Sequence, residues 1–203
     1  MYIYGASGHA RVMIDLIEDN EIIHGIFDDN PDISTILDYP VLGPFCYDRI
    51  LDAPLFIAIG DNVVRYRIAN RLSKETWYGK VVHRSAIISK RAVIDKGTVV
   101  MEGVIIKVNC EIGKQAIINT GASIDHDCII GDFVHIAPQT TLCGGITIGE
   151  GSLIGANSII LPGVTIGSWC KIAAGSTVHK DVPDGNVWIG RDLKSANLMV
   201  NSR

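Results

Sequence analysis

The sequence predicts two structural units: a small α/β domain with a parallel sheet over residues 1–80, and a parallel β-helix over residues 81–203. The β-helix follows from a branched aliphatic residue at every sixth position, without insertion, from Ile88 to Val178. Neither the 3.6-residue period of an α-helix nor simple alternation keeps this register, whereas hexapeptide repeats form parallel β-helices. The α/β domain follows from short apolar segments that alternate with helical patterns and end in polar residues.

Each hexad of the repeat is expected to form one short strand and one corner, so that three hexads close one coil. Coils stack at roughly 4.8 Å, and the repeat therefore predicts about five coils in a prism about 25 Å long. The recurring aliphatic residue points inward, and a mostly small residue two positions earlier fills the space beside it. Glycines recur at the hexad start, where we expect a positive φ or a close backbone approach: Gly113, Gly131, Gly149, Gly155 and Gly167.

The amino-terminal segment is predicted to be a small Rossmann-like unit in the order β-α-β-loop-β-α. The first helix places Val12 and Leu16, with Met13 and Ile17, on one apolar face at the spacing of an amphipathic helix. The predicted elements are strands at 1–4, 22–27 and 55–59, a helix at 8–18 and a helix from about 62 to 72.

The carboxyl ends of the three strands are a candidate site for a nucleotide-linked sugar. Ligands of such sheets bind at these ends, so residues 5–9, 28–30 and 60–62 are expected to converge on one crevice. The segment GASGHA lacks the dinucleotide pattern G-x-G-x-x-G, but a helix start still attracts phosphate. Alternatively, the glycines only shape a tight turn, and Asp28 and Asp29 belong to a solvated loop. The three polar strand ends together favour the sugar-nucleotide site.

Composition excludes several classes of protein. The net charge of −4 predicts no basic surface for nucleic acid. No apolar run approaches the roughly 20 residues that span a bilayer, so no transmembrane helix is expected. No signal peptide is expected at the start of the chain. Cys110, Cys128 and Cys170 occupy the small-residue register, while Cys46 and Cys143 are isolated. This usage predicts reduced thiols in the cytoplasm and no zinc site built on cysteine.

Two histidines lie inside the repeat but outside its inward register. His126 is at a corner between Asp125 and Asp127, and His135 follows nine residues later on another face of the same protomer. A histidine beside a carboxylate can act as a general base. Alternatively, His126 is a surface histidine in a polar turn. A metal site is not predicted, because zinc needs three or four ligands and the repeat offers two histidines far apart. The two histidines can meet only across a boundary between neighbouring protomers.

Three segments resemble bacterial sugar O- and N-acetyltransferases of the sialic-acid-biosynthesis and amino-sugar-nucleotide type, from the hexapeptide-repeat acyltransferase superfamily. They are NTGASIDHDCIIGDFVHIAP at 119–138, YGASGHA at 4–10 and SIILPGVTIG at 158–167. The resemblance extends from Met1 to about Gly190 and implies a left-handed β-helix, a homotrimer and acetyl-CoA as acetyl donor. The tail departs from the family pattern G-x-P-A-K, because residues 190–194 read GRDLK, and this puts a tail contact with CoA in doubt.

The resemblance also implies roles for single residues. His126 matches the general base, Asp127 the acidic residue that orients it, and His135 the histidine near the thioester of acetyl-CoA. Ala156 and Ala174 match positions along the CoA arm, and a backbone N–H at Gly144 or Gly145 is the expected oxyanion donor on the cofactor side. The residues assigned to the nucleotide-sugar acceptor are Ser7, Gly8, His9, Asp28, Asp29 and Gly60.

The expected activity is direct acetyl transfer from acetyl-CoA to the amine of a nucleotide-linked amino sugar, without an acyl-enzyme. Acetylation of a hydroxyl on a sialic acid or another sugar remains open, since the sequence does not separate the two acceptors. A trimeric scaffold without catalytic activity is the alternative from a different class.

Overall fold

The computed structural model describes residues 1–18, 22–48 and 51–194. The chain divides into two compact units, Met1–Val81 and the remainder from Val82. Residues 195–203, at the end of the predicted second domain, lie outside the described residues.

The first unit contains a parallel sheet of three strands, in the order β2 (Gly25–Phe27), β1 (Tyr2–Tyr4) and β5 (Leu55–Ile57). Tyr4 at the end of β1 pairs with Phe27 on one side and with Ile57 on the other. Tyr4, Phe27 and Ile57 are buried, so the centre of the sheet lies in an apolar core. In chain order the elements are β1 (Tyr2–Tyr4), α1 (Gly8–Glu18), β2 (Gly25–Phe27), β3 (Thr35–Ile36), β4 (Tyr39–Pro40), β5 (Leu55–Ile57) and α2 (Asn62–Arg71).

Two predicted strands are too long. The strand predicted at 22–27 begins only at Gly25, because its partner β1 begins at Tyr2, the residue that pairs with Gly25. The strand predicted at 55–59 ends at Ile57. Beyond this point the carbonyl oxygens of Ile59 and Gly60 accept hydrogen bonds from the Arg65 guanidinium, which fixes the chain in a turn.

Helix α1 has the predicted bounds, but its buried face differs from the prediction. Met13, Ile14 and Ile17 are buried, whereas Val12 is 42% exposed. Val12 lies two residues from Ile14, which is about 200° around an α-helix, so both cannot face the sheet. Val12 was therefore wrongly assigned to the apolar face.

The second unit is a left-handed parallel β-helix built from two-residue strands. Three sheets form its sides. The first face contains every third strand from Ile87–Ile88 to Thr177–Val178, and the second contains every third strand from Val93–Ile94 to Thr165–Ile166. The third contains every third strand from Val81–Val82 to Lys171–Ile172, followed by Val187–Ile189 and Asp192–Lys194. In chain order these strands are β6 (Val81–Val82), β7 (Ile87–Ile88), β8 (Val93–Ile94), β9 (Val99–Val100), β10 (Ile105–Ile106), β11 (Glu111–Ile112), β12 (Ile117–Ile118), β13 (Ser123–Ile124), β14 (Ile129–Ile130), β15 (His135–Ile136), β16 (Thr141–Leu142), β17 (Thr147–Ile148), β18 (Leu153–Ile154), β19 (Ile159–Ile160), β20 (Thr165–Ile166), β21 (Lys171–Ile172), β22 (Thr177–Val178), β23 (Val187–Ile189) and β24 (Asp192–Lys194).

Residues one coil apart are paired, at a spacing of 18 positions. On the first face Ile106 pairs with Ile124, Ile124 with Leu142, and Leu142 with Ile160. These four side chains are at most 1% exposed, so they form a continuous apolar ladder. The predicted inward register and the three-hexad coil are both confirmed. The stack is slightly longer than expected, because the first face contains six strands.

The glycines at the hexad starts are required by close backbone approach and not by a positive φ. A Cβ on Gly155 would lie 2.4 Å from the backbone nitrogen of Ala174, and one on Gly149 would lie 2.5 Å from that of Ser168. Positive φ occurs two positions later, in the hexads that begin at residues 95 to 173, at Gly97, Gly103, Asn109, Gln115, Gly121, Asp127, Phe133, Gln139, Gly145, Gly151, Asn157, Gly163, Trp169 and Gly175. Half of these positions are not glycine, and one of them is Asp127.

None of the helices in the described ranges combines the length and the apolar character that crossing a membrane requires.

Candidate active site

His126 lies at the corner between the first and second faces of the β-helix, after strand β13. Its backbone N–H donates to Asp125 Oδ1 at 2.8 Å, and its carbonyl accepts from Gly145 N–H at 2.9 Å. The corner is therefore anchored both within its own coil and to the next coil. Because the interior is filled by the aliphatic ladder, the His126 side chain points away from the core and is 56% exposed.

His126 and Asp127 form a hydrogen-bonded pair. The Nδ1 atom of His126 lies 2.7 Å from Asp127 Oδ2. Asp127 has a φ of 59°, in the left-handed region that aspartate tolerates better than most residues. Since the carboxylate accepts the hydrogen bond, Nδ1 carries the proton, and the lone pair of the neutral ring is at Nε2. The pair thus presents a basic nitrogen at an exposed corner.

The electrostatics of the pair suit a base. The hydrogen bond that His126 donates to Asp127 raises the pKa of His126, and the negative charge of Asp125 acts in the same direction. The same hydrogen bond lowers the pKa of Asp127, and a second one from Asn109 Nδ2 to Asp127 Oδ1, at 3.1 Å, contributes to this lowering. Asp127 therefore remains ionised while it supports the imidazole. Asn109 was not identified from the sequence.

Gly144, one coil above His126, leaves room for the imidazole. A Cβ at this position would lie 2.5 Å from both Nε2 and Cε1 of the ring. The N–H of Gly144 has no protein acceptor within the described ranges. The neighbouring Gly145 N–H was an alternative oxyanion donor, and this assignment is wrong, because it donates to the His126 carbonyl.

His135 lies on strand β15 in the third face, away from the corner that carries His126. Its Nε2 atom is 3.2 Å from Asn119 Nδ2, a contact that sequence reasoning missed. Ala156 and Ala174 occupy successive coils of the corner between the third and first faces, where Gly175 N–H donates to the Ala156 carbonyl at 2.8 Å. Within one chain, the structure does not bring these three residues to His126.

The strand ends of the first unit do converge. Gly5 N–H donates to the Phe27 carbonyl at 2.8 Å, and Ala58 N–H donates to the Tyr4 carbonyl at 2.8 Å. Ser7 and Gly8 are exposed at the start of α1, so backbone N–H groups there face solvent at the positive end of the helix dipole. This arrangement can bind an anionic group such as phosphate.

The two aspartates after β2 differ in their surroundings. Both oxygens of Asp28 accept backbone hydrogen bonds, from Ala6 N–H at 2.6 Å and from Asn30 N–H at 2.9 Å, so this residue shapes the turn. Asp29 is exposed, and its Oδ2 accepts from the Tyr4 hydroxyl at 2.6 Å. Asp29 is therefore better placed than Asp28 to contact a ligand.

His9 packs against the third strand end, where a Cβ on Gly60 would lie 3.8 Å from its Cγ. Burial, followed by the positive charge of Arg65, lowers the pKa of His9 to about 4. Its Nε2 atom is buried without a hydrogen-bond partner in the described structure. His9 is thus a neutral polar group at the edge of the crevice.

A cavity of about 350 Å³ opens elsewhere in the first unit. None of the residues predicted to bind the acceptor lines it. Its walls are Phe45, Tyr47, Asp48, Leu51, Leu72, Ser73, Glu75, Thr76 and Trp77. Within the described ranges, no group of three or more His, Cys, Asp or Glu side chains could hold a metal ion.

Two family models match the chain. Residues 1–72 match the PglD N-terminal domain, and residues 109–144 and 145–180 match the bacterial transferase hexapeptide (six repeats). Among curated proteins, an uncharacterized protein of Acanthamoeba polyphaga mimivirus is 36% identical over 115 residues, which cover 56% of this chain. The matched region spans only 23% of that viral protein.

Solved structures resemble the chain over nearly its whole length. One of them is perosamine N-acetyltransferase from Caulobacter crescentus, solved as a histidine-to-asparagine mutant with CoA and GDP-perosamine. It is 34% identical to this chain with a TM-score of 0.86, and the match covers 95% of this chain and 94% of that chain. The acetyltransferase domain of PglB from Neisseria gonorrhoeae is 29% identical with a TM-score of 0.88, covering 96% and 98%. The same domain with acetyl coenzyme A is 28% identical with a TM-score of 0.85, covering 96% and 97%. The chain therefore belongs to the hexapeptide-repeat sugar acetyltransferases that carry a PglD-type amino-terminal domain.

Proposed function

We propose that this protein transfers an acetyl group from acetyl-CoA to the amine of a nucleotide-linked amino sugar, with His126 as the general base. The observation that carries the proposal is the His126–Asp127 pair, which presents a basic Nε2 on an exposed side chain at a corner of the β-helix. Support also comes from the relatives, of which one was solved with CoA and GDP-perosamine and another with acetyl coenzyme A.

In the proposed reaction, His126 Nε2 accepts a proton from the sugar amine as its nitrogen attacks the thioester carbonyl. A C–N bond forms, the C–S bond breaks, and the imidazolium returns the proton to the departing thiolate. Asp127 stabilises the imidazolium through the 2.7 Å hydrogen bond to Nδ1. General-base catalysis of this kind is typically worth about 10²–10⁴-fold in rate. Gly144 N–H is the candidate donor to the carbonyl oxygen.

An acyl-enzyme on one of the three buried thiols is disfavoured, because these thiols are poor nucleophiles. Burial raises the pKa of Cys128 to about 11 and also raises the pKa of Cys110 and Cys170. A cysteine reacts as its thiolate, so these residues do not suit an acyl-enzyme route. The five cysteines are free, which supports our placement of the reaction in the reducing cytoplasm.

The separation of site residues within one chain supports a homotrimer. His126 lies at the corner between the first and second faces, whereas His135, Ala156 and Ala174 lie on the third face and at its corner with the first. A neighbouring protomer that packs side by side would supply the second set. Small residues at Ala156 and Ala174 leave space there for the pantetheine arm of acetyl-CoA.

We place the acceptor in the strand-end crevice of the first unit. Ser7 and Gly8 would bind phosphate at the start of α1, and the exposed Asp29 would accept hydrogen bonds from sugar or base. His9 and Gly60 form the opposite edge, where a neutral imidazole can bond an uncharged ligand group. We favour an amine over a hydroxyl as acceptor because the perosamine enzyme is an N-acetyltransferase.

An acceptor screen tests the proposal. Release of free CoA would be followed with GDP-, UDP- and CMP-linked amino sugars, with the matching hydroxyl sugars as comparison. We expect turnover with at least one amino sugar, and a loss of about 10²–10⁴-fold in His126→Ala. His24→Ala, an exposed histidine in the first unit, is the control and should keep full activity. Absence of CoA binding by calorimetry, or undiminished turnover in His126→Ala, would overturn the proposal.

A further inference from the structure

The coil spacing places Asn109 directly beneath Asp127. The two positions are 18 residues apart at the same corner, and both have left-handed backbone conformations, with φ of 58° at Asn109 and 59° at Asp127. The register is fixed by the backbone, because Asp127 N–H donates to the Val108 carbonyl at 3.0 Å. Asparagine is one of the few side chains that readily adopt this conformation, so the corner keeps its shape without a glycine here.

The Asp127 carboxylate is bound at both of its oxygens. Oδ1 accepts from Asn109 Nδ2 at 3.1 Å, and Oδ2 lies 2.7 Å from His126 Nδ1. Asp127 is 56% exposed and is not packed in a core, so these hydrogen bonds define its orientation. The amide of Asn109 provides a donor without adding a charge beside the imidazole.

We infer that Asn109 is a positioning residue, which holds the Asp127 carboxylate and through it sets the orientation of the His126 ring. The inference rests on the proposed function, in which His126 is the base. Asn109 contacts neither reacting atom and acts only through Asp127. The chain Asn109–Asp127–His126 therefore extends over two coils and three residues, of which only the last exchanges a proton with the substrate.

Two substitutions separate positioning from a general structural role. Asn109→Gly removes the donor but keeps a residue suited to positive φ, so the fold should persist. Loss of one hydrogen bond to a charged group should lower kcat about fivefold to tenfold, while KM for acetyl-CoA stays unchanged. Asn70→Ala is the control, because Asn70 is an exposed amide of the first unit whose Nδ2 donates to the Tyr66 carbonyl, and it lies outside the proposed site.

Asn109→Asp provides a readout that a structural role would not move. The charged groups facing the His126 ring are Asp125 and Asp127, and a third carboxylate would further favour the imidazolium. The acid limb of the pH profile of kcat should therefore move to higher pH in Asn109→Asp. In Asn109→Gly it should move to lower pH, since a less well held Asp127 supports the imidazolium less.

Titration of the His126 ring by ¹⁵N NMR, alongside kcat and KM, tests the inference. Opposite shifts in the two Asn109 variants, with an unchanged Asn70→Ala variant, support it. An Asn109→Gly variant that keeps the wild-type kcat, KM and His126 titration would overturn it, and would leave the proposed function standing as long as His126→Ala is inactive. Full turnover in His126→Ala would instead overturn the proposed function itself.

Discussion

A methyl group at Gly144 should inactivate the site without unfolding the protein. The ideal Cβ of an alanine there lies 2.5 Å from His126 Nε2 and Cε1 and 3.1 Å from Nδ1. Non-bonded heavy atoms prefer separations of about 3.5–4.0 Å, so the imidazole must move by about 1 Å or more. That movement breaks or lengthens the 2.7 Å hydrogen bond to Asp127.

The expected cost follows from this displacement. A misplacement of about 1 Å in a catalytic group can reduce the rate by about 10²-fold. Gly144→Ala should therefore lower kcat/KM for acetyl transfer by about 100-fold, equivalent to about 2.7 kcal/mol of transition-state stabilisation. Gly144 is not among the residues with positive φ, so alanine introduces no backbone strain and the melting temperature should stay close to that of the wild type.

Gly145→Ala is the matched control, and it should have the opposite effects. Gly145 has a φ of +69°, and a Cβ there would meet no atom within 4 Å. Alanine in this conformation costs about 1–2 kcal/mol, which should lower the melting temperature while the His126 ring stays in place. Initial rates of CoA release and thermal melts of both variants make the comparison. Wild-type kcat/KM in Gly144→Ala, with an unchanged melting temperature, would refute the reasoning.

Three other predictions concern the pair and the β-helix. Asp127→Asn replaces the charged acceptor of the hydrogen bond that raises the pKa of His126 by a neutral amide, so this pKa should fall. Because the base must be neutral, activity is lost as pH falls through this pKa, and the acid limb of kcat should therefore move to lower pH while its plateau falls. An unshifted limb would argue against the pair. Gly155→Ala would place a Cβ 2.4 Å from the backbone nitrogen of Ala174. The melting temperature should therefore fall. An unchanged melting temperature would show that neighbouring coils can move apart enough to accept the methyl group. Ile136→Ala leaves a cavity at a fully buried position. The free energy of unfolding, measured in urea, should fall by about 2–5 kcal/mol. A decrease of less than about 1 kcal/mol would contradict the packing described for this position.

The β-helix was predictable because its register is local. A side chain at every sixth residue returns to the same orientation, so Ile124 and Leu142 could be assigned to the interior before any coil was positioned. The role of the glycines could not be assigned in this way. Positive φ falls at the third position of the hexad and not at its start, and at half of these positions the residue is not glycine, as at Asp127.

In the candidate site, contacts between chain neighbours were predictable and contacts between coils were not. His126 and Asp127 are adjacent, so their pairing could be proposed from the sequence. Two hydrogen bonds join successive coils: Asn109 Nδ2 donates to Asp127, and Gly145 N–H donates to the His126 carbonyl. The 18-residue spacing pairs Asn109 with Asp127 and places Gly145 next to the position above His126, so the same register that orders the aliphatic ladder also indicates these polar contacts.

The first unit shows the same limit at greater sequence distance. The convergence of the strand ends followed from the parallel topology. The bond from the Tyr4 hydroxyl to Asp29 and the contact between His9 and Gly60 depend on how the loops close over the sheet. Composition and spacing contain no signal for these contacts, so the different surroundings of Asp28 and Asp29 became visible only in the structure.

Chemical rescue of His126→Ala tests most directly whether His126 is the base. The variant would be assayed for acetyl transfer to the preferred nucleotide-linked amino sugar, with and without added imidazole. We predict a loss of about 10²–10⁴-fold without imidazole, and partial recovery that increases with the concentration of neutral imidazole. Wild-type turnover in the variant without any added base would contradict the assignment.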